Sequence, residues 1–244
     1  MKCLILAAGY ATRLYPLTEN FPKPLLEVRG KTILDWLIDD MDSAGMVDEY
    51  VVISNHRYAA HFEKWAADKK QKITVLDDGT STNETRLGAV RDIQFAIDTL
   101  QLDDDMLVIA GDNLLDFSLT EFIAYANRKK TSCMMCFYEA DRERLTHFGN
   151  VSKDKNDRIT KMVEKPKDPP SHWCATPFYY YTRADIRLVE KGIASGCGTD
   201  APGSYMAWLS QQTAVHAMEM PGKRYDIGNL ESYQQVQKEY KGIC

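Results

Sequence analysis

No run of apolar side chains in the 244 residues approaches the roughly 20 that cross a bilayer. Mean hydropathy is −0.39, and no membrane partner is expected. Positive charge is not in excess either. There are 30 Lys and Arg against 35 Asp and Glu, a formal net charge of −5, which argues against a general binder of nucleic acid or anionic lipid. The N-terminus lacks the charged, apolar, then small-residue layout of a signal peptide, so the cytoplasm is the expected compartment. Cysteines are scattered: Cys3, Cys133, Cys136, Cys174, Cys197 and Cys244. Only Cys133 and Cys136 have metal-ligand spacing. They fall in an apolar run read as a strand, where residues three apart face opposite ways, so buried thiols are expected rather than zinc or redox chemistry. Repeats and low-complexity segments are missing. So is a G-x-G-x-x-G string, which leaves no fingerprint of a dinucleotide oxidoreductase.

What is present begins at once. Leu4, Ile5 and Leu6 form a short unbroken apolar run, a buried strand by pattern. At Ala7-Ala8-Gly9 the side chains shrink, which lets a ligand approach the backbone. Pro16, Pro22 and Pro24 then keep the segment irregular, and Arg13 and Lys23 place two cations on it. A strand entering a small-residue loop with cations is one way to hold a polyphosphate, because backbone N–H groups cradle oxygens while the cations offset charge.

Alternating strand and helix patterns follow. Thr32 is placed to cap a helix carrying Ile33, Leu34, Leu37, Ile38 and Met41 on one face, with Asp35 at the capping-box position. Residues 50–54 read as a strand, 58–70 as a helix, 73–76 as a strand, 86–100 as a helix and 106–110 as a strand. Such alternation implies a largely parallel sheet with right-handed crossovers, and ligands bind at the carboxyl ends of its strands. Asp112, after Gly111, lies at one such end and offers a hard oxygen suited to Mg²⁺. A helix over 119–128 has its own capping pattern in Ser118 and Glu121. Beyond a strand at 133–138 the alternation breaks. A hairpin with its turn at 153–157, an aromatic strand at 175–182, helices at 183–194 and 204–211, a strand at 214–218 and a final helix at 230–240 are expected.

The string from Leu6 to Thr18, closed by Pro22-Lys-Pro-Leu25, resembles the signature of the sugar nucleotidyltransferases, the NDP-sugar pyrophosphorylases. These include the glucose-1-phosphate thymidylyltransferase-like enzymes. Ala11 stands where that family usually has a second glycine. If the position needs a positive φ, alanine adds strain of roughly 1–2 kcal/mol. Gly111-Asp112-Asn113 is similar to the family's metal-binding aspartate element. Glu164-Lys165-Pro166 resembles its sugar-phosphate element, and Tyr225-Asp226-Ile-Gly228 a second acidic motif that often carries Trp in place of Tyr225. The loop 77–90 matches at Gly88 but carries Arg86 and Leu87 in place of the usual residues, and Pro177 replaces a family glycine.

The resemblance implies an α/β, Rossmann-like three-layer α/β/α fold with a mixed, mainly parallel central sheet, of the nucleotide-diphospho-sugar transferase type. It implies one nucleotidyltransferase domain over 1–244, with a nucleotide-binding half at about 1–130 and a sugar-phosphate half at about 131–244. The nucleotide would meet Leu6, Ala7, Ala8, Gly9, Tyr10, Ala11, Thr12, Arg13, Lys23, Thr85, Gly88 and Asp112. The sugar phosphate would meet Asn113, Gly149, Glu164, Lys165 and Thr176. Arg13, Lys23, Asp112, Lys165 and Asp226 would carry catalysis, with Mg²⁺ on Asp112 and Asp226. The partners would be a nucleoside triphosphate, by resemblance dTTP or UTP, and a sugar 1-phosphate. The aromatic strand would also suit subunit contacts in a homo-oligomer. Two other readings stay open at this point. One is a cytidylyltransferase-type enzyme acting on phosphocholine or a polyol phosphate. The other is a nucleotide-sugar-binding regulatory protein without catalysis.

Overall fold

A computed structural model describes residues 1–243; Cys244 lies outside the described residues. The chain divides into two compact units. One comprises Met1–Arg86, Ile109–Glu121 and the chain from Pro221 on; the other comprises Leu87–Val108 and Phe122–Met220. The fold class is α/β, a mixed sheet with flanking helices.

In the first unit the strands Lys2–Leu6, Glu49–Ser54 and Ile73–Asp77 run parallel, with Leu4 opposite Val51 and Val51 opposite Thr74. Glu49–Ser54 is buried along its whole length, which is why Tyr50 to Ile53 reads as an unbroken apolar run. Flanking it, the helix Ile33–Ser43 buries Ile33, Leu34, Leu37, Ile38 and Met41, and the Thr32 hydroxyl accepts from the Asp35 amide at 3.0 Å, as its sequence implies. The helix Ala59–Ala67 is shorter than the expected 58–70, and Tyr58 stands at its N-cap.

Two small ribbons escaped the sequence pattern. Glu27–Val28 pairs with Lys31–Thr32 around Arg29 and Gly30, both at positive φ (57° and 82°), the demand of a two-residue hairpin turn. Asn113–Leu115 pairs antiparallel with Arg224–Asp226, so that Asn113 faces Asp226 and Leu114 faces Tyr225. Each strand of this second ribbon is only three residues long, too short to leave a period-2 signature. Packing holds it instead. Leu114 and Ile227 are buried with Leu14, Leu26, Val28, Ile33, Val236 and Tyr240. Burial of a side chain such as Leu or Ile contributes about 1.5–3 kcal/mol. The Tyr240 hydroxyl donates to the Leu115 carbonyl at 2.8 Å, and its ring meets Trp36 and Tyr225 edge-on. The helix Leu230–Glu239, capped by Asn229 and Ser232, carries Val236 into this core.

In the second unit, Trp173–Tyr181 pairs antiparallel with both Cys133–Tyr138 and Asn150–Lys153. The latter pairs antiparallel with Ile159–Val163, and His216–Glu219 runs parallel to Cys133–Tyr138. The register of Trp173–Tyr181 shifts between Ala175 and Tyr179. Pro177 sits in that irregularity, where a missing N–H does least harm to the ladder.

The helix expected at 86–100 begins instead at Ala89. Gly88 precedes it at φ 90°, and the Ala89 and Val90 amides donate to the carbonyls of Asp200 and Thr199. A Cβ on Gly88 would come within 2.5 Å of the Thr199 carbonyl oxygen, so only glycine admits this approach. The single helix expected at 183–194 is two short ones, Arg183–Ile186 and Val189–Ala194. The helix expected at 119–128 is Thr120–Lys129. The Ser118 hydroxyl accepts from the Thr120 amide, and the Leu119 amide is taken by Asp40 at 2.8 Å. Among the described residues no helix is long and apolar enough to cross a membrane.

Candidate active site

The N-terminal strand ends where its neighbours stop pairing with it. The Ala7 amide donates to the Ile53 carbonyl at 2.9 Å and the Gly111 amide to the Leu6 carbonyl at 3.0 Å. Beyond that point the loop is held from behind. Buried Asn55 donates to the Ala8 carbonyl at 2.9 Å, and the Thr18 hydroxyl donates to the Ala11 carbonyl at 2.8 Å. Tyr10 is buried, with its hydroxyl donating to the Thr80 carbonyl at 3.2 Å. Gly9 is exposed, with nothing within 4 Å of where a Cβ would stand. Ala11 adopts φ 45°, ψ 43°, the left-handed conformation that glycine takes freely. The departure from the family pattern therefore carries the roughly 1–2 kcal/mol strain of a Cβ in that region.

The two cations of this loop have opposite settings. Arg13, in the short turn Thr12–Leu14, is exposed and makes no hydrogen bond or ion pair among the described residues. Lys23, in the turn Lys23–Leu25, has a side chain only 7% exposed. Its ammonium lies 2.8 Å from Asp112 Oδ2 and 3.9 Å from Asp226 Oδ1. A buried ammonium is costly unless paired, and here two carboxylates pair it.

Asp112 reaches this place through Gly111. A Cβ there would meet Ile5 at 2.8 Å and Leu34 at 3.0 Å, so the glycine lets the turn close against the core. Asp226 arrives by the ribbon register that sets it opposite Asn113. The other Asp112 oxygen accepts from Asn113 Nδ2 at 2.7 Å, and Asn113 Oδ1 accepts from Arg224 Nη1 at 2.7 Å. Burial opposes the ionised form of Asp112. The Lys23 charge and hydrogen bond, together with the Arg224 charge, outweigh it and hold the carboxyl below its ordinary range.

Arg224 was not among the residues singled out by sequence. The available signal was alternation: in an extended segment residues 224 and 226 share a face. Asn113, expected at the sugar phosphate, is 2% exposed and commits its amide to Asp112 and Arg224. Thr85 lies in the first unit on an exposed loop, with its hydroxyl donating to the Thr82 carbonyl; Gly88 lies in the second, at the helix start described above.

Among the described residues no group of three or more His, Cys, Asp or Glu could enclose a metal. Asp112 and Asp226 are a pair. That donor set fits Mg²⁺, which is commonly held by one or two carboxylates with the remaining positions taken by phosphate oxygens and water. Burial pushes the thiols of Cys133 and Cys136 up to about 12.

In the second unit the Glu164 carboxylate lies against two glycines. Its Oε2 would be 2.8 Å from a Cβ on Gly149 and 3.1 Å from one on Gly203. Burial raises the Glu164 pKa, and the neighbouring Lys165 charge only partly offsets this. Lys165 itself is exposed, at φ 42°, and its ammonium makes no hydrogen bond or ion pair among the described residues. Positive φ at a non-glycine residue is strain that clusters at functional sites. Thr176 is 1% exposed, and its hydroxyl donates to the Met135 carbonyl at 2.8 Å.

The fold is α/β, with a tethered small-residue loop that carries an exposed arginine and a lysine-bridged acid pair. The chain belongs to the Nucleotidyl transferase family, which matches residues 2–242, and it is a nucleotidyltransferase. Enzymes of this family generally work with a divalent metal. One similar protein is the UTP--glucose-1-phosphate uridylyltransferase AglF of Haloferax volcanii, 26% identical over 98% of this chain and 96% of its own length. Another is the Bifunctional protein GlmU of Methanocaldococcus jannaschii, 27% identical over 93% of this chain. This chain spans only 51% of that protein's length. Among solved structures, a UDP-glucose pyrophosphorylase complexed with UDP-glucose superimposes with a TM-score of 0.82 over 98% of this chain and 97% of that one, at 20% identity.

Proposed function

We propose that this nucleotidyltransferase joins a nucleoside triphosphate to a sugar 1-phosphate. A phosphate oxygen of the sugar 1-phosphate attacks the α-phosphorus, the bond to the bridging oxygen breaks, and pyrophosphate leaves. The product is an NDP-sugar, and no protein nucleophile is needed. The observation that carries the reading is the convergence of Lys23, Asp112 and Asp226, with Lys23 within 3.9 Å of both acids. Arg13 would stabilise the triphosphate and the leaving pyrophosphate, and Lys23 the α-phosphate. Lys165 would hold the attacking phosphate and Glu164 a sugar hydroxyl, with Gly149 giving close approach to the ring. Such a reaction asks the protein for alignment and charge stabilisation more than covalent chemistry. Asp112 and Asp226 would hold Mg²⁺, whose contribution when bound is charge neutralisation at the nucleotide phosphates. The similarity to a uridylyltransferase over nearly the full length of both chains favours UTP as the triphosphate and glucose 1-phosphate as the first acceptor to assay. The cytoplasm is the compartment this reading implies.

The test is pyrophosphate release from each triphosphate in turn, with a panel of sugar 1-phosphates, phosphocholine and polyol phosphates as acceptors. Release with UTP or dTTP and a sugar 1-phosphate is expected. Release with CTP and phosphocholine alone would overturn the sugar assignment, and saturable nucleotide binding without release from any pair would overturn catalysis.

A further inference from the structure

We infer that Arg224 is a positioning residue for the acid pair, acting through Asn113. The inference rests on the reading of Asp112 and Asp226 as the carboxylates facing the nucleotide phosphates.

The geometry is a linear relay. Arg224 Nη1 donates to Asn113 Oδ1 at 2.7 Å, Asn113 Nδ2 donates to Asp112 Oδ1 at 2.7 Å, and Lys23 Nζ meets Asp112 Oδ2 at 2.8 Å. Each link constrains the next. An isolated asparagine amide can present either its oxygen or its nitrogen to a neighbour. An arginine donor on one side requires the oxygen there and turns the nitrogen toward Asp112. The carboxylate therefore has one oxygen fixed by a neutral donor and the other by a buried ammonium. Its plane is set before any ligand arrives.

Arg224 belongs to the strand Arg224–Asp226, so the segment that delivers Asp226 also fixes Asp112. The ribbon thus serves both acids, one directly and one by relay. Asn113 is 2% exposed, which shields the middle link from water. Partners that orient a metal-binding carboxylate from behind are commonly worth 10–100-fold in metal affinity or activity.

The experiment measures Mn²⁺ binding by water-proton relaxation enhancement, with UTP present and no acceptor. Arg224→Met is expected to weaken Mn²⁺ binding about 10–100-fold. Its effect and that of Asn113→Ala should not add in the double variant, because both remove one relay. Arg224→Lys, which keeps the charge but not the planar fork, should recover part of the loss. It also serves as the second variant if Arg224→Met fails to fold by circular dichroism. Wild-type Mn²⁺ affinity in Arg224→Met would overturn the relay. So would full additivity with Asn113→Ala, or a wild-type enzyme that binds no Mn²⁺ with UTP. Because no acceptor is present, Mn²⁺ binding as expected together with no turnover on any sugar 1-phosphate would sink the acceptor assignment and leave the relay standing.

Discussion

Asp112 and Glu164 are carboxylates in opposite electrostatic settings, one in each compact unit. Burial works against ionisation in both. At Asp112 it is overcome by Lys23 and Arg224, and the pKa falls; at Glu164 the single neighbour Lys165 does not overcome it, and the pKa rises. The cations differ in the same way. Lys23 is buried and paired, whereas Lys165 is exposed and without a hydrogen bond or ion pair among the described residues. The first arrangement is assembled in advance, which the proposed stabilisation of a transferring phosphoryl group would use. Under the proposed function, the second would keep its charge free for an incoming phosphate. Matching acidic and basic residue types thus acquire opposite electrostatic behaviour, set by what else each group touches.

Breaking the first arrangement should have the largest effect. Lys23→Met is expected to lower kcat by about 10²–10³-fold, the scale of losing one preorganised charge-stabilising group, as measured by pyrophosphate release. It should also alter the acid limb of stability. With a folded pKa below the unfolded one, Asp112 contributes stability above the unfolded carboxylate range and loses it as pH falls through the folded value. Removing Lys23 removes much of that contribution, so thermal unfolding of the variant should depend less on pH in the acid range. An unchanged acid limb would contradict the pairing.

The second arrangement should respond in KM. Lys165→Ala is expected to raise the KM for the sugar phosphate about tenfold, the size of a lost charge-assisted hydrogen bond. Circular dichroism should stay unchanged, and because the Lys165 charge partly offsets the burial of Glu164, Tm at neutral pH should fall slightly. Glu164 carries the opposite pH sign. Its raised folded pKa means that stability falls as pH rises from the unfolded value through the folded one. Glu164→Gln should therefore raise Tm at neutral pH relative to wild type, and the gain should disappear in acid. A constant offset at all pH values would show that packing, not ionisation, is responsible.

The smallest effect concerns neither acid. Ala11→Gly relieves a left-handed alanine at φ 45°. A gain of about 1 kcal/mol is expected, which for a chain of this size is a Tm rise of about 2–4 °C in a thermal melt.

Much of this was legible in the order of residues. The run Leu4–Leu6, the shrinkage at Ala7-Ala8-Gly9 and the three prolines located the loop, because strand pattern and backbone chemistry are local properties. The helix Ile33–Ser43 and its Thr32 cap were legible for the same reason. The ribbon that joins residues 113–115 to 224–226 was not. Its strands are too short for periodicity, and it is held by Tyr240, Val236 and Ile227, whose packing is long-range. Arg224 stayed hidden with it, since its role exists only through the pairing. The helix start was misplaced at Arg86 because the Ala89 and Val90 amides are taken by the carbonyls of Asp200 and Thr199, a contact no local window contains. Ala11 shows the reverse: the family pattern pointed to a positive φ there, and the residue adopts φ 45°.

In the proposed function Lys23, Asp112 and Asp226 form the centre that meets the nucleotide phosphates. The most direct test is the single-turnover rate of pyrophosphate release from UTP and glucose 1-phosphate by wild type and Asp226→Asn, both checked for fold by circular dichroism. Asp226 is exposed, so the variant should fold. A loss of 10²-fold or more in the chemical step is predicted. A folded Asp226→Asn that turns over at the wild-type rate would contradict the account.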